Sequence, residues 1–307
     1  MSTAPLFGEH SVINFAKCEF LKVDPMTNIR VASWTGGTRG TIHIFNGRTE
    51  YIEKYFDVIE GFLTRGFNVT AHDWRGQGLS TRNETHPTRC HIVSFEEHQS
   101  DARSVMEHFS DLPGPHYLFC HSMGGAIGTR YLLENNIIKA AIFSAPMWGI
   151  HLSPLLEKLR PTLMKVVKRL NLQWRTAIGT KDKNYELHTK FENNLLTSNE
   201  DQWNKLVSDM KQFPELNCGG PTYYWLAAAY KEMNWLKRQK GPSIPMLLFL
   251  GTQEEVVDPK MIKQKANKNK NISLVELENG KHESYLEQPE LVKKMWLNID
   301  MFMDQYS

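Results

Sequence analysis

Short runs of β-branched and apolar residues alternate with longer amphipathic stretches over most of the chain. From about residue 19 to residue 34 an alternating stretch is interrupted by Asp24-Pro25-Met26-Thr27-Asn28, a turn-rich cluster that predicts a hairpin leading into a sheet. The run Gly40-Thr41-Ile42-His43-Ile44-Phe45 is apolar at nearly every position, as a central strand covered on both faces must be. A helix over 52–65 and a second buried strand over 67–71 complete one β-α-β unit. The pattern repeats as a helix over 95–109, a strand over 116–120, a helix over 123–134 and a strand over 139–143. It returns at 245–250 and 272–277 and ends in an amphipathic helix over 290–306. Strands alternating with helices of this length predict an α/β fold, a mostly parallel sheet with helices on both faces.

Between about residues 146 and 242 the alternation stops. Leu152, Leu155, Leu156, Leu159, Leu163, Val166, Val167 and Leu170 fall at three- and four-residue intervals, with Lys158, Arg160, Lys165, Lys168 and Arg169 between them. The predicted organisation is a core of residues 1–146 and 242–307, with 147–241 inserted as a helical lid over the C-terminal ends of the strands. The apolar face of the lid helix reads as packing, and its basic residues suggest a peripheral membrane contact.

Length and composition narrow the picture. At 307 residues the chain can bury one large core and still carry an inserted subdomain of under about 100 residues. With 41% hydrophobic and 23% charged residues it has no compositional case for disorder. A formal charge of +2 excludes a protein that binds polyanions by bulk electrostatics, so nucleic acid is not an expected partner. Cys18, Cys90, Cys120 and Cys218 are scattered without CxxC spacing; they read as reduced structural residues, with no metal or other cofactor implied. Residues 1–17 lack a basic segment followed by an apolar run, and the longest apolar stretch, 244–250, is too short to span a bilayer. The expected location is the cytoplasm, peripheral on the inner face of the membrane. None of these patterns encodes an oligomeric state.

The segment Phe119-Cys120-His121-Ser122-Met123-Gly124-Gly125-Ala126 carries the chemistry. It sets a serine directly after a strand and at the mouth of a helix, where a tight turn forces the hydroxyl outward and small neighbours let strand and helix approach. A serine hydroxyl needs an imidazole to take its proton, and the imidazole needs a carboxylate to fix its tautomer. His282, in Asn279-Gly280-Lys281-His282-Glu283 just past the last strand, is the candidate base. His43 and His72 lie in or at the end of early strands, and His121, beside Ser122, is expected to point away from the turn. The acid should follow the strand ending at Leu250, where Glu254, Glu255 and Asp258 compete. Glu254 is favoured because the loop has just left the strand there, Asp258 is the alternative, and Glu255 reads as solvated. The Met123 amide supplies one oxyanion donor and the Arg48 amide, in Asn46-Gly47-Arg48-Thr49-Glu50, the other. The Arg48 side chain either contacts an anionic head group or pairs with Glu50.

With these residues in view, the chain resembles the monoglyceride-lipase and lysophospholipase branch of the α/β hydrolases, and among them the bacterial membrane-associated lysophospholipases. The resemblance runs from about Phe45 to Glu287. It rests on Asn46 to Glu50, Asp73-Trp74-Arg75-Gly76-Gln77-Gly78-Leu79-Ser80, His121 to Gly125, Ala145-Pro146-Met147-Trp148-Gly149-Ile150 and Glu254 to Asp258. Ala177-Ile178-Gly179-Thr180 and Gly219-Gly220-Pro221-Thr222-Tyr223 in the lid add to it. The chain departs from the pattern at Cys120, where a smaller residue is usual, at Asn46, where many relatives have His, and at Glu254, where distant ones have Asp. The resemblance implies the α/β-hydrolase fold with Ser122 as nucleophile, His282 as base, Glu254 as acid and the Arg48 and Met123 amides as oxyanion hole.

The function expected is a carboxylic ester hydrolase that cleaves the acyl ester of a single-chain lipid, lysophospholipid or monoacylglycerol, through an acyl-enzyme. A lid containing Leu155, Leu159, Leu163, Trp148, Trp174, Trp203 and Trp225 would shelter the acyl chain. The alternatives are a small-ester hydrolase, acyltransferase or peptidase on the same fold, and a non-catalytic member that binds an apolar ligand.

Overall fold

A computed structural model describes residues 2–151 and 154–306. Nine strands form one sheet in the order β1-β2-β3-β5-β4-β6-β7-β8-β9. They are β1 (Ser2–Thr3), β2 (Lys17–Asp24), β3 (Thr27–Trp34), β4 (Thr41–Phe45), β5 (Asn68–His72), β6 (His116–His121), β7 (Ile138–Ser144), β8 (Met246–Gly251) and β9 (Ile272–Leu277). The first three pair antiparallel with one another and onto β5, and the remaining pairings are parallel. Every residue of β4, β5 and β8 is buried. They are covered on both faces, so β8 is apolar throughout, while the buried polar residues of β4 and β5 find partners inside, as His43 does with Thr70 and His116.

Among the described residues eight α-helices accompany the sheet: α1 (Phe56–Leu63), α2 (Phe95–His108), α3 (Ser122–Glu134), α4 (Pro154–Arg169), α5 (Glu200–Gln212), α6 (Tyr223–Arg238), α7 (Pro259–Lys268) and α8 (Pro289–Tyr306). α1 and α8 close one face, where Ile59, Phe62, Met295 and Phe302 meet Phe119 and Phe249. α2, α3 and α7 close the other, with Ala102, Ile127 and Ile262 around Phe45 and Phe143. Local signals set the boundaries. Ser94 caps α2 while Glu97 reaches back to the Ser94 N–H, a reciprocal capping box. The stretch predicted as a helix over 52–65 opens as a 3-10 turn at Ile52–Tyr55 before α1 begins.

The parallel order brings the ends of β4, β6, β7, β8 and β9 to one edge of the sheet. Between β7 and β8 the chain leaves the sheet and forms α4, α5 and α6. Of the periodic residues read in this stretch, Leu152 and the side chains of Leu155, Leu156 and Arg160 lie outside the described part. α6 is more than a cover: Trp225, Ala228, Ala229, Met233 and Leu236 join the same apolar cluster as α3.

Two elements were not foreseen, β1 and α7, and one reading is corrected. Cys90 and Cys218 are joined as a disulfide across 128 residues, tying the loop after β5 to the β7–β8 insertion. Only Cys18 and Cys120 are free. No local spacing announces such a link, because it depends on how the insertion folds back. Among the described residues no helix is long and apolar enough to cross a membrane.

Candidate active site

Ser122 begins α3 with φ of 48°, a left-handed backbone that lifts its side chain out of the strand-to-helix turn. The turn closes only because its neighbours are small. A Cβ on Gly124 would lie 2.0 Å from the Phe45 carbonyl oxygen, so the helix and the end of β4 could not approach. Cys120 is accommodated in the same way: its Sγ fills the space that a Cβ on Gly128 would need, and it is fully buried.

His282 reaches Ser122 from the loop after β9, with Nε2 3.0 Å from Oγ. On its other side Nδ1 lies 2.7 Å from Glu254 Oε2. Both partners are buried. The remaining Glu254 oxygen accepts the Val256 and Val257 N–H groups at 2.6 and 3.0 Å, which points the carboxylate back at the ring. Burial opposes charge on His282, but the adjacent carboxylate outweighs it and raises the imidazole above its ordinary value. Glu254 is likewise disfavoured by burial, yet His282 and the two amides hold it below the usual range. Asp258, the alternative acid, is used elsewhere: its side chain caps α7, accepting from the Lys260 and Met261 N–H groups. Glu255 is exposed.

The turn after β4 is held from three directions. The Gly47 N–H donates to the Glu50 carboxylate, and the Thr49 N–H donates to Gln77 Oε1 at 3.0 Å. Gln77 Nε2 donates to the Gly47 and Glu50 carbonyls. The Arg48 N–H between them donates to none of the described residues, and Met123 occupies the first turn of α3, where amides have no intrahelical acceptor. These are the two amides expected from the sequence to form an oxyanion hole, and both are without a backbone acceptor among the described residues.

A cavity of about 390 Å³ opens over Ser122 and His282. Its apolar wall comes from Met147, Ile150, Leu195, Leu196, Leu226 and Val257. Of the aromatic and leucine residues expected to shelter an acyl chain, Trp225 alone lines it among the described residues, Leu155 having its side chain outside them. Trp148 is buried, packs on Phe143 and donates to Thr129, and Trp203 is buried with its ring edge-on to Tyr185. The cavity has the volume of a small-molecule site, with a mostly apolar wall and a few polar groups.

Residues 36–289 match the family described as serine aminopeptidase, S33, over more than half of the chain. The chain belongs to that family. Two curated proteins similar to it are a probable lysophospholipase L2 of Haemophilus influenzae and the lysophospholipase L2 of Escherichia coli K12. The first is 26% identical over 86% of this chain and 83% of its own length, the second 29% identical over 70% of this chain and 64% of its own. A soluble variant of the Saccharomyces cerevisiae monoglyceride lipase, solved with a substrate analog, has the same fold at a TM-score of 0.73 with 16% identity, covering 95% of this chain and 97% of that one. The fold is that of the α/β hydrolases.

In this S33 chain His121 departs from expectation. It lines the cavity instead of pointing away from the turn, its ring 4.7 Å from that of His282, and burial keeps it neutral by lowering it to about 3. Beneath it lies a buried charge cluster that the sequence did not disclose. Lys54 Nζ sits 2.9 Å from Glu50 and 2.6 Å from Glu283, and Tyr55 and Tyr285 also donate to Glu50. Glu50, His121 and Glu283 converge closely enough to suggest a cation site, and the Lys54 ammonium already bonds both carboxylates. Burial raises Glu283 to about 7 despite Lys54, whereas Lys54 outweighs burial at Glu50 and keeps it low. A Glu and a Lys four apart look like an exposed helix pair, so this cluster left no signal of its own. Asp73, in the segment that carried part of the resemblance, is structural: it binds Arg30 and the Ile52 and Leu79 N–H groups.

Proposed function

We propose that this protein, a carboxylic ester hydrolase, cleaves the acyl ester of single-chain lipids, with Ser122 as nucleophile, His282 as general base and Glu254 as the acid that orients it. The observation that carries the proposal is the continuous hydrogen-bonded line from Ser122 Oγ through His282 to Glu254 on the floor of a pocket with an apolar wall. Ser122 Oγ attacks the ester carbonyl while its proton passes to His282 Nε2. The carbonyl oxygen becomes an oxyanion facing the Arg48 and Met123 amides. Collapse expels the glycerol oxygen, which takes the proton from His282, and leaves the acyl group on Ser122. Water, deprotonated by His282, then releases the fatty acid. The names of the two lysophospholipase relatives support a lipid ester as substrate.

In this reading residues 147–241 act as a lid and meet the membrane. Leu159, Val166, Leu170, Trp174 and Ile178 are exposed on it, beside Lys158, Lys165, Lys168 and Arg169, the composition of a segment that lies in a lipid interface. The setting proposed is the inner face of the cytoplasmic membrane, where Cys90 and Cys218 would follow the local redox poise.

The test is fatty-acid release from lysophosphatidylcholine, a monoacylglycerol and a diacyl phospholipid of the same acyl chain. Cleavage of single-chain lipids and little of the diacyl lipid is expected. Hydrolysis of short p-nitrophenyl esters with no single-chain lipid cleaved would sink the lipid reading and favour a small-ester hydrolase.

A further inference from the structure

The Arg48 side chain is the largest unexplained feature of the pocket. Other arginines in the interior have filled their donors: Arg30 and Arg75 bind carboxylates, and Arg82 reaches the carbonyls of Gly78, Pro87 and Asn217. Arg48 forms no ion pair among the described residues, and the expected pairing with Glu50 is not made, because Glu50 binds Lys54. Among the described residues only Nη2 of its donor nitrogens meets an acceptor, the Gly219 carbonyl at 2.7 Å, while Nε is buried with none. The guanidinium carbon lies 5.0 Å from the centroid of the Trp225 ring, over its face. Desolvation alone pulls it down to about 9, the mark of a buried cation without a counter-charge.

Its position is informative. Arg48 stands between the catalytic cavity and a second one of about 300 Å³, and the two share Arg48, Thr49, Tyr185 and Pro221 in their walls. The second cavity carries Lys181, Lys183 and His188 and has no Asp or Glu in its lining. Its far wall exists because two loops of the insertion touch: a Cβ on Gly220 would lie 2.4 Å from Thr180 Oγ1. Four carboxylates line the catalytic cavity: Glu50 and Glu283 are bound to Lys54, burial raises Glu186 and so disfavours its charged form, and Glu255 is exposed to solvent, so none of them is paired with Arg48.

We infer that this side cavity is a subsite for the phosphate of a single-chain phospholipid, gripped by the free face of the Arg48 guanidinium with Lys181 and Lys183 beyond it. The inference rests on the single-chain lipid reading above and makes it narrower. The Arg48 backbone N–H faces the ester oxygen, and in a lysophospholipid only the glycerol carbons separate that ester from the phosphate. One residue therefore meets both groups, the carbonyl through its amide and the phosphate through its planar fork. A monoacylglycerol would leave the cation unsatisfied.

Two experiments test this. In the first, kcat/KM is measured for a lysophosphatidylethanolamine and a monoacylglycerol of the same acyl chain, in the wild type, Arg48→Met and the double variant Lys181→Ala/Lys183→Ala. The phospholipid-to-monoacylglycerol ratio is expected to fall at least tenfold in Arg48→Met, mainly through KM, and several-fold in the lysine variant. A ratio near one in the wild type, or one unmoved by both variants, overturns the subsite while leaving the ester hydrolase standing. In the second, glycerol 3-phosphate and inorganic phosphate are titrated into Ser122→Ala by calorimetry, which needs no turnover. Binding of glycerol 3-phosphate that weakens in Ser122→Ala/Arg48→Met supports a head-group site. Equal binding of inorganic phosphate assigns the cavity to the free anion, and binding of neither contradicts it.

Discussion

His282 Nδ1 and Glu254 Oε2 stand 2.7 Å apart in a buried setting, and that contact separates Glu254 from Asp258, its rival in the sequence. The two carboxylates lie four residues apart on one loop, yet one orients an imidazole and the other caps a helix. Glu254→Gln should lower kcat by about 10⁴-fold, the loss seen when the orienting carboxylate of a Ser-His-Asp triad is neutralised. Asp258→Asn keeps a capping side chain and should leave kcat within a few-fold. Steady-state kinetics on one ester decides between them, and a larger loss in Asp258→Asn would reverse the assignment.

The same contact sets the pH dependence. His282 must be neutral to accept the Ser122 proton, and its value in the folded protein is raised, so it holds its proton to higher pH than a free imidazole. The acid limb of kcat/KM should therefore have its midpoint above about 6.5. In Glu254→Gln burial acts without the counter-charge, and the midpoint should drop below that of the wild type. A profile in which the two limbs coincide would show that Glu254 does not face the titrating group.

Gln77 holds the Gly47–Glu50 turn through three hydrogen bonds, to Thr49 N–H and to the Gly47 and Glu50 carbonyls. Gln77→Met removes them while keeping similar volume. The expected result is a kcat lower by roughly tenfold to a hundredfold with KM little changed, since a slack turn misplaces the Arg48 amide chiefly in the transition state. Equal loss in kcat and in thermal stability, with no kcat effect at low temperature, would reduce Gln77 to a structural residue.

Lys54→Met leaves Glu50 and Glu283 buried without their cation. A destabilisation of about 3–5 kcal/mol is expected from urea unfolding at neutral pH. Because protonation of a carboxylate relieves the unpaired charge, the deficit should shrink as pH falls through the acid range. A deficit that does not depend on pH would mean that Lys54 contributes packing rather than charge.

Much of this was legible in the chain and part was not, for reasons that lie in particular residues. β4, β5, β6 and β8 could be read because strands buried on both faces are short runs dominated by apolar and β-branched residues without a polar alternation. Ser122 and His282 could be read because a strand-to-helix turn with small neighbours and a histidine past the last strand are local signals. α7 was hidden: Lys260, Lys263, Gln264, Lys265 and Lys268 make it mostly polar, with Met261, Ile262 and Ala266 as its inward face. Asp258-Pro259, a helix-start signal, was weighed as a catalytic candidate instead. The Cys90–Cys218 link, the Lys54 cluster and the pairing of Arg48 with a carbonyl in place of Glu50 all depend on contacts between segments distant in sequence. No local pattern encodes them.

The role of Ser122 is tested most directly by a fluorophosphonate probe, which forms a bond from phosphorus to the reactive serine oxygen and expels fluoride. Peptide mass spectrometry should find the adduct on Ser122, at one per chain when lipid-ester hydrolysis is abolished, and none in Ser122→Ala, which should itself be inactive. Inactivation with the adduct on another residue, or hydrolysis undiminished in Ser122→Ala, would contradict Ser122 as the nucleophile.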